Sequence, residues 1–504
     1  MMKRIVLILM LSLPFFFCSA AKNKDLLTIY KEPVPNKLYA VENESASEPS
    51  FDFTFDELVN LSQTAEPQGE LKVKLNSHLL MTYVVNRNNN YKLDKPYLRV
   101  SHWNIRRGYN IAAIKEILLD SNAYSSKYIE NVKSRHRKNF KTELDTFAST
   151  DIICLNEVDI GMPRTKYKNI VSGLSDSLNW DYAYSTEFIE LGPIFQKQQC
   201  DKSLYKGLHG NAIVSKFPII STHVIRLPEK YDWYKNETKE HESPLECIRK
   251  FGAKAIFSQK IDSREVRHGN REALVADIKL PNNKIVTVVT AHLEDRAFPD
   301  ERLKQFKYLL ENLKHIKTPI ILSGDFNTST TDTKPTSVVH EVKKRIRDPH
   351  FILRTTGSFF IPGTPPVLPG AAAITFSKLL QYKDPFFLSI PVVFPNHERK
   401  FYTCLRKFKF DDGNIFDLSG DRKKSSNRRR GLLANSNQRH WKGFKSTYKL
   451  EKPRVIAYFK LDWFFVKPIG EHFTPSNGRT LKTLNYSFPG HISDHNPITV
   501  DINL

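Results

Sequence analysis

From about residue 97 onward the chain repeats one pattern: short stretches of alternating or continuous apolar residues, bounded by Gly, Pro or Asn. LRVSHWN, DIICLNE, NAIVS, AKAIFSQKI, EALVADIKL, KIVTVVTAH, PIILSGDFN, VIAYFKLDWFFV and ITVDI are of this kind. Period-two patterning over such lengths predicts strands of packed sheets. Between some of them the period becomes helical. ERLKQFKYLLENLKHI sets Leu303, Phe306, Leu309, Leu310 and Leu313 on one face, the stripe of a helix that covers a core. A strand-dominated chain with interspersed helices predicts an α+β fold, two sheets face to face with helices outside.

The pattern is interrupted twice. Residues 119–145 are polar and helix-prone, and residues 330–455 hold the proline-rich IPGTPPVLPG and then a basic stretch. Both read as insertions, the second long enough to be a lid, a docking surface or a disordered loop. Residues 21–96 read as an N-terminal extension or linker, with FDFTFDELVNL as a short docking helix, and residues 97–504 as the main domain.

The first twenty residues follow a different rule. Lys3 and Arg4 precede an apolar run from Ile5 to Phe17, and the small residues Ser19 and Ala20 follow. This is the layout of a signal peptide spanning residues 1–20, so the expectation is a secreted, periplasmic or cell-surface protein. An uncleaved anchor is the competing reading, but the run is shorter than the roughly 20 apolar residues a bilayer span needs. Lipid on Cys18 is a second alternative. An oxidising compartment permits disulfides. Cys154 sits in the apolar DIICL and reads as a buried thiol, whereas Cys200 and Cys247 lie in polar sequence and form the favoured pair. No CxxC spacing exists, which argues against a cysteine zinc site.

Charge adds a partner class. The formal net charge is +22, and Glu398 to Arg454 hold 17 Lys or Arg against 6 Asp or Glu. A solvated loop and an attractor of polyanions such as nucleic acid or acidic lipid headgroups are both compatible with that concentration.

The candidate chemistry lies at strand ends, where loops gather over a sandwich. Asn104 follows RVSHW, Glu157 follows DIICLN, His292 follows VTVVTA, and Asp325 with Asn327 follows PIILSG. Asp462 lies in YFKLDWFFV, and Asp494 with His495 precedes PITVDI. One polar residue in such a place is usually a cap or turn former. The repetition with these residue types is not explained that way.

In order, HWNIRRG, LNEVD, HGNAIVS, AHLED, SGDFN, LDWFFV and SDHNPI resemble the endonuclease/exonuclease/phosphatase superfamily over about residues 97–329 and 455–504. The resemblance implies a four-layered α/β sandwich and divalent-metal-dependent hydrolysis of phosphoric esters, with Mg²⁺ as the cofactor and Mn²⁺ or Ca²⁺ as substitutes. It implies Glu157 as principal metal ligand, with Asn104 and Asp494 beside it. It also implies His495 as base or orienter of water and Asp462 as the carboxylate fixing its imidazole. Asp325 and Asn327 match the GDxN pair, which serves nucleophile, leaving group and phosphate. His292 matches a second histidine that contacts phosphate or assists the leaving group. Asn211 and Arg164 are further substrate-binding candidates, with His209 and Gly210 at the same rim.

For substrate, three readings stand. A nuclease-like phosphodiesterase is favoured by the basic balance and by Trp441 and Tyr448, aromatic residues that could stack bases. A sphingomyelinase-type phospholipid phosphodiesterase is suggested by the apolar runs VLPGAAAITF and DPFFLSIPVVF, which could dock on an anionic membrane. A non-catalytic binding protein on the same fold is the third. Nucleic acid stands ahead of phospholipid as partner, and no obligate protein partner is evident.

Overall fold

The alternating segments pair into two sheets that face each other. The computed structural model describes residues 39–40, 53–87, 91–238, 265–328, 381–382, 390–391, 399–417, 444, 446–450 and 457–504. The leader segment 1–20, Cys247, Trp441 and most of the 330–455 insertion, including its apolar runs and arginine run, lie outside the described residues.

In chain order the strands are β1 (Tyr39–Ala40), β2 (Thr82–Val85), β3 (Tyr97–Arg107), β4 (Ile152–Ile160), β5 (Asp181–Glu190) and β6 (Leu208–Ser215). Then come β7 (Ile219–Arg226), β8 (Arg267–Gly269), β9 (Glu272–Lys279), β10 (Ile285–His292) and β11 (Ile320–Asp325). Two short pairs follow, β12 (Gln381–Tyr382) with β13 (Ile390–Pro391) and β14 (Tyr448–Leu450) with β15 (Ala457–Phe459). β16 (Asp462–Lys467), β17 (Thr474–Thr480) and β18 (Ile498–Asn503) complete the set. One sheet has the order β1-β7-β9-β10-β11-β16, the other β17-β18-β3-β4-β6-β5-β2 with β8 beside β5. Within both, β10–β11 and β3–β4 are the parallel pairs and the remaining pairs are antiparallel.

Three apolar layers hold this together. Leu98, Val100, Ile152, Cys154 and Ile213 of one sheet meet Leu274, Ile278, Val288, Ile321 and Phe464 of the other. Outside the second-named sheet lie α1 (Phe55–Ser62), α2 (Gly69–Leu80), α3 (Ile111–Leu119), α4 (Ser121–Tyr128), α5 (Arg137–Ala148) and α6 (Ile170–Leu178). Against the other sheet pack α7 (Pro299–Leu313) and α8 (Arg399–Lys407). The order helix, sheet, sheet, helix is the α+β sandwich expected. α7 is the helix read from ERLKQFKYLLENLKHI. Proline opens it and Asp300 and Glu301 occupy its first turn, which suits the positive end of the helix dipole. Phe306, Leu309, Leu310 and Leu313 are its buried stripe.

Local structure adds to the sequence reading in two places. The segment expected as extension or linker supplies α1, fastened by a Thr54–Glu57 capping box, and the edge strand β2, which pairs with β5. The polar stretch 119–145 supplies α4 and most of α5, whose Tyr124, Phe140 and Leu144 are buried in the outer core. From the second insertion, Phe401 of α8 stacks on Phe306 at 3.8 Å. Cys154 is a buried free thiol. Among the described residues no helix is long and apolar enough to cross a membrane.

Candidate active site

Along several strands the inward face is apolar at one end of the sandwich and polar at the other. On β3, Leu98 and Val100 enter the inter-sheet core, and the same face continues with His102 and Asn104, both buried. On β10, Val286 and Val288 give way to Thr290 and His292, and on β11, Ile321 gives way to Ser323 and Asp325. β16 runs the other way, so Asp462 begins it and Phe464 and Val466 follow. Register then aligns His292 with Asp325 and Asp325 with Asp462. Gly324 makes this possible, because a Cβ there would lie 2.0 Å from the Ala291 carbonyl oxygen of the neighbouring strand. The glycine of SGDFN therefore serves close strand approach.

Asp462 is fully engaged. Its Oδ2 accepts from His495 Nδ1 at 2.9 Å, and its Oδ1 lies 3.1 Å from His102 Nε2. Thr447 Oγ1 accepts from the Asp462 backbone N–H at 3.2 Å. Burial opposes ionisation of this carboxyl, but His495 and His102 outweigh it and hold Asp462 well below the usual carboxylate range. Burial likewise opposes a charge on His495, yet Asp462 and Asp325 lift its proton affinity well above that of an ordinary imidazole. A carboxylate on Nδ1 fixes the tautomer, leaving Nε2 to exchange protons.

A second imidazole stands opposite. His292 Nε2 lies 3.8 Å from Asp325 Oδ2, and His495 Nε2 lies 3.6 Å from the same oxygen. The far side of His292 is mounted differently. Arg271 Nη1 is 2.7 Å from Nδ1, Glu187 Oε2 is 3.3 Å from it, and Arg271 also donates to Glu187 at 3.0 Å. Burial and Arg271 depress the proton affinity of His292, and Glu187 and Asp325 outweigh them, so it lies above the ordinary value. The attracted proton cannot sit on Nδ1 while Arg271 donates there, because a guanidinium never accepts. The shorter contact decides the tautomer, and the proton belongs on Nε2, facing Asp325.

Asn104 joins these pairs to a cluster of oxygens. Its amide nitrogen donates to Glu157 Oε1 at 3.0 Å and to Asp325 Oδ2 at 3.1 Å. Ser493 Oγ donates to the Asn104 carbonyl at 2.7 Å and lies 3.2 Å from Asp494 Oδ1. Glu157 has φ +55 at a bulge of β4, a strained setting of the sort that gathers at functional sites. Burial disfavours its charge, but His292, His209 and Arg107 outweigh that and hold it below the usual range. Asp325 is pushed the other way, by burial and by Asp462.

Two carboxylates sharing one neutral amide in a buried place call for a cation. The donor set suits a hard one, since Glu157, Asn104 and Asp494 all offer oxygen. Asp325, Asp462 and His495 also bring ligand atoms within 4.8 Å of one another. Both Asp462 oxygens are already taken by imidazoles, so that trio is a proton-handling group, and Glu157, Asn104 and Asp494 fit a metal better.

The remaining expected residues fall elsewhere. Asn327, at φ +48, gives its amide to the Leu293 carbonyl at 2.9 Å, and its backbone N–H to Asp325 Oδ1 at 3.0 Å. In place of a substrate contact, Arg164 makes a two-pronged ion pair with Asp159 at 2.6 and 2.9 Å and a further bond to Glu190 at 3.2 Å. His209 binds the same Asp159 at 2.8 Å. Asn211 is fully buried, accepting from Asn156 at 2.6 Å and donating to Glu187 and Glu272 at 3.1 and 2.7 Å. With every polar atom engaged it braces the site from beneath, since a buried amide must find partners. Asn156, by accepting from the Asp325 N–H at 2.9 Å, extends that brace to the centre. Tyr448, read as a base-stacking ring, instead lies 5.2 Å from the His495 ring.

Sequence reasoning missed His102, Glu187 and Arg271. The signal for the first two was the alternation itself. His102 continues the inward face of Leu98 and Val100, and Glu187 continues that of Ala183 and Ser185. Arg271 precedes β9, and nothing local marks it.

Residues 101–495 match the model of the Endonuclease/Exonuclease/phosphatase family. No curated protein matches the chain. Among solved structures, the human Nocturnin catalytic domain with bound sulfate anion aligns at 14% identity and TM-score 0.36, covering 84% of this chain and 97% of that one. A truncated Caenorhabditis elegans TDP2 aligns at 12% identity and TM-score 0.35, covering 81% and 98%. A Bacteroides thetaiotaomicron mannosyl-6-phosphatase aligns at 11% and 0.35, covering 81% and 100%.

Proposed function

The chain belongs to the endonuclease/exonuclease/phosphatase family, and from that premise we propose that it is an exported, divalent-metal-dependent phosphodiesterase whose substrate is nucleic acid. Members of this family hydrolyse phosphoester bonds and use a divalent metal. The observation that carries the reading is the convergence of two imidazole Nε2 atoms on the single carboxylate oxygen Asp325 Oδ2, at 3.6 and 3.8 Å, beside the Asn104–Glu157 pair.

Phosphodiester hydrolysis needs a water stripped of a proton and donors for the phosphoryl oxygens. His495, its Nδ1–H held by Asp462, presents Nε2 as the base, and Asp462 stabilises the imidazolium that results. Asp325 accepts a hydrogen bond from the attacking water and keeps it beside Nε2. His292, with its proton on Nε2, donates to a phosphoryl oxygen, and Arg271 adds fixed positive charge behind it. Glu157, Asn104 and Asp494 would hold the metal, which when bound neutralises phosphoryl charge and eases departure of the leaving oxygen. Export rests on the leader read from residues 1–20. The preference for nucleic acid rests on the net charge of +22 and the basic stretch, which suit a polyanion.

The test offers the purified mature chain plasmid DNA, RNA, sphingomyelin vesicles and bis(p-nitrophenyl) phosphate, each with Mg²⁺ or with chelator. The expected result is Mg²⁺-dependent cleavage of nucleic acid that weakens steeply with salt. Turnover confined to sphingomyelin would move the protein to the phospholipid reading. Absence of turnover on all four, together with absence of metal binding, would leave a non-catalytic binding protein.

A further inference from the structure

The second insertion returns to the sandwich at the catalytic pair itself. Ser446, Thr447 and Tyr448 are the residues involved, and each is tied down. Thr447 Oγ1 accepts from the backbone N–H groups of Leu461 and Asp462 at 3.0 and 3.2 Å. The Thr447 carbonyl accepts from the Asn496 N–H at 2.7 Å, and the Ser446 carbonyl accepts from the Asn496 side chain at 3.3 Å. Tyr448 forms an antiparallel bridge with His495, and its ring sits 5.2 Å from the imidazole at an interplanar angle of 55°. The end of the insertion is therefore a wall of the active site, bonded to both halves of the Asp462–His495 pair.

A half-buried ring packed on an imidazole has little open face for a base. What it can offer to a substrate is its hydroxyl. The charges acting on that hydroxyl are those of Asp494, Arg106, Glu157 and Asp325, the groups around the oxygen cluster, and burial together with the carboxylates pushes the phenol further from ionisation. A phenol kept protonated beside carboxylates is a hydrogen-bond donor, and the ligand expected there is an anion.

We propose that Tyr448 is a substrate-contacting residue that donates its hydroxyl to a nonbridging oxygen of the scissile phosphodiester, so that the returning end of the insertion completes the phosphate site. This deepens the functional reading above and rests on it. Thr447 is a positioning residue that acts through Asp462.

The experiment measures kcat and KM across pH with Mg²⁺ for the mature wild type, Tyr448→Phe and Thr447→Val. The substrates are a single-stranded oligonucleotide and bis(p-nitrophenyl) phosphate. Phenylalanine keeps the ring against His495 and removes only the hydroxyl, and a thermal melt checks that the fold is unchanged. The expected loss in kcat/KM for Tyr448→Phe is roughly 10- to 100-fold on both substrates, with the acid limb set by His495 unmoved and inhibition by inorganic phosphate weakened. Thr447→Val instead shifts that limb and leaves phosphate inhibition near the wild-type value. A phenylalanine variant within twofold of wild type overturns the assignment, as does a loss that travels with a shifted acid limb, which would mean that the ring works only through the imidazole. A wild type silent on both substrates removes the functional reading and this assignment together, so the two failures are distinguishable.

Discussion

The two imidazoles beside Asp325 are nearly symmetric at Nε2 and quite different at Nδ1. His495 faces a carboxylate that is itself shared only with another imidazole, so its ring is made basic. His292 faces a guanidinium at 2.7 Å with a carboxylate behind it, so its Nδ1 must accept. The same side chain in the same cleft is thereby given two jobs. One is poised to take a proton and the other to donate a hydrogen bond without leaving neutrality. What separates them is one long side chain, Arg271, placed just before β9.

Removing each ring is the most forceful way to break the comparison. His495→Ala is expected to lower kcat by about 10²- to 10⁴-fold, the range of a lost general base. The wild-type rise in activity with pH through the His495 ionisation, which Asp462 holds above the ordinary imidazole value, should vanish with it. His292→Ala should cost roughly 10²- to 10³-fold, as for a lost phosphoryl-oxygen donor, and leave that rise in place. Identical pH profiles for the two variants would refute the division of labour.

Arg271→Met sharpens the point. Without the guanidinium, Glu187 can hold a proton on His292 Nδ1, turning the second pair into a copy of the first. A loss of about 10- to 100-fold is expected, with an additional ionisation in the pH–rate profile. An unchanged profile would show that Arg271 does not set the tautomer.

A smaller effect belongs to the brace under His292. Glu272 is fully buried, shares Asn211 with Glu187, and burial pushes its carboxyl up to about 7. A folded-state value raised above the unfolded one stabilises the fold fully below about 4.5 and loses that contribution as pH rises through about 7. The difference is on the order of 3 kcal/mol. Denaturant midpoints should therefore fall between pH 6 and 8 in the wild type and stay flatter in Glu272→Gln. Parallel slopes would argue that Glu272 is ionised in the native state at neutral pH.

Much of this site was legible because its residues stand where an apolar strand ends. Asn104, Glu157, His292, Asp325, Asp462 and His495 each break a strand pattern with a side chain that needs a partner, and register does the rest. His102 and Glu187 were hidden because they sit inside strands, where a polar residue on the inward face looks like ordinary alternation until the facing sheet is known. Arg271 reaches His292 through side-chain length, which no local pattern records. Arg164 and Asn211 were read as rim residues because strand-end sequence does not reveal how deeply a loop is covered. The α+β class was readable from period alone. The roles of residues 53–85 and 119–145 were not, because a four-residue strand such as β2 and helices with single buried aromatics carry too little periodic signal.

The central claim is that the Asp462–His495 pair acts on water beside a metal held by Glu157. It is tested most directly by initial rates of bis(p-nitrophenyl) phosphate hydrolysis during a Mg²⁺ titration of wild type, Glu157→Gln and His495→Ala. The account predicts a wild type that saturates with Mg²⁺ and is silenced by chelator, a Glu157 variant needing far more Mg²⁺, and a His495 variant with unchanged Mg²⁺ dependence but a rate lower by about 10²-fold or more. Wild-type turnover indifferent to chelator, or a His495 variant within threefold of wild type, would contradict it.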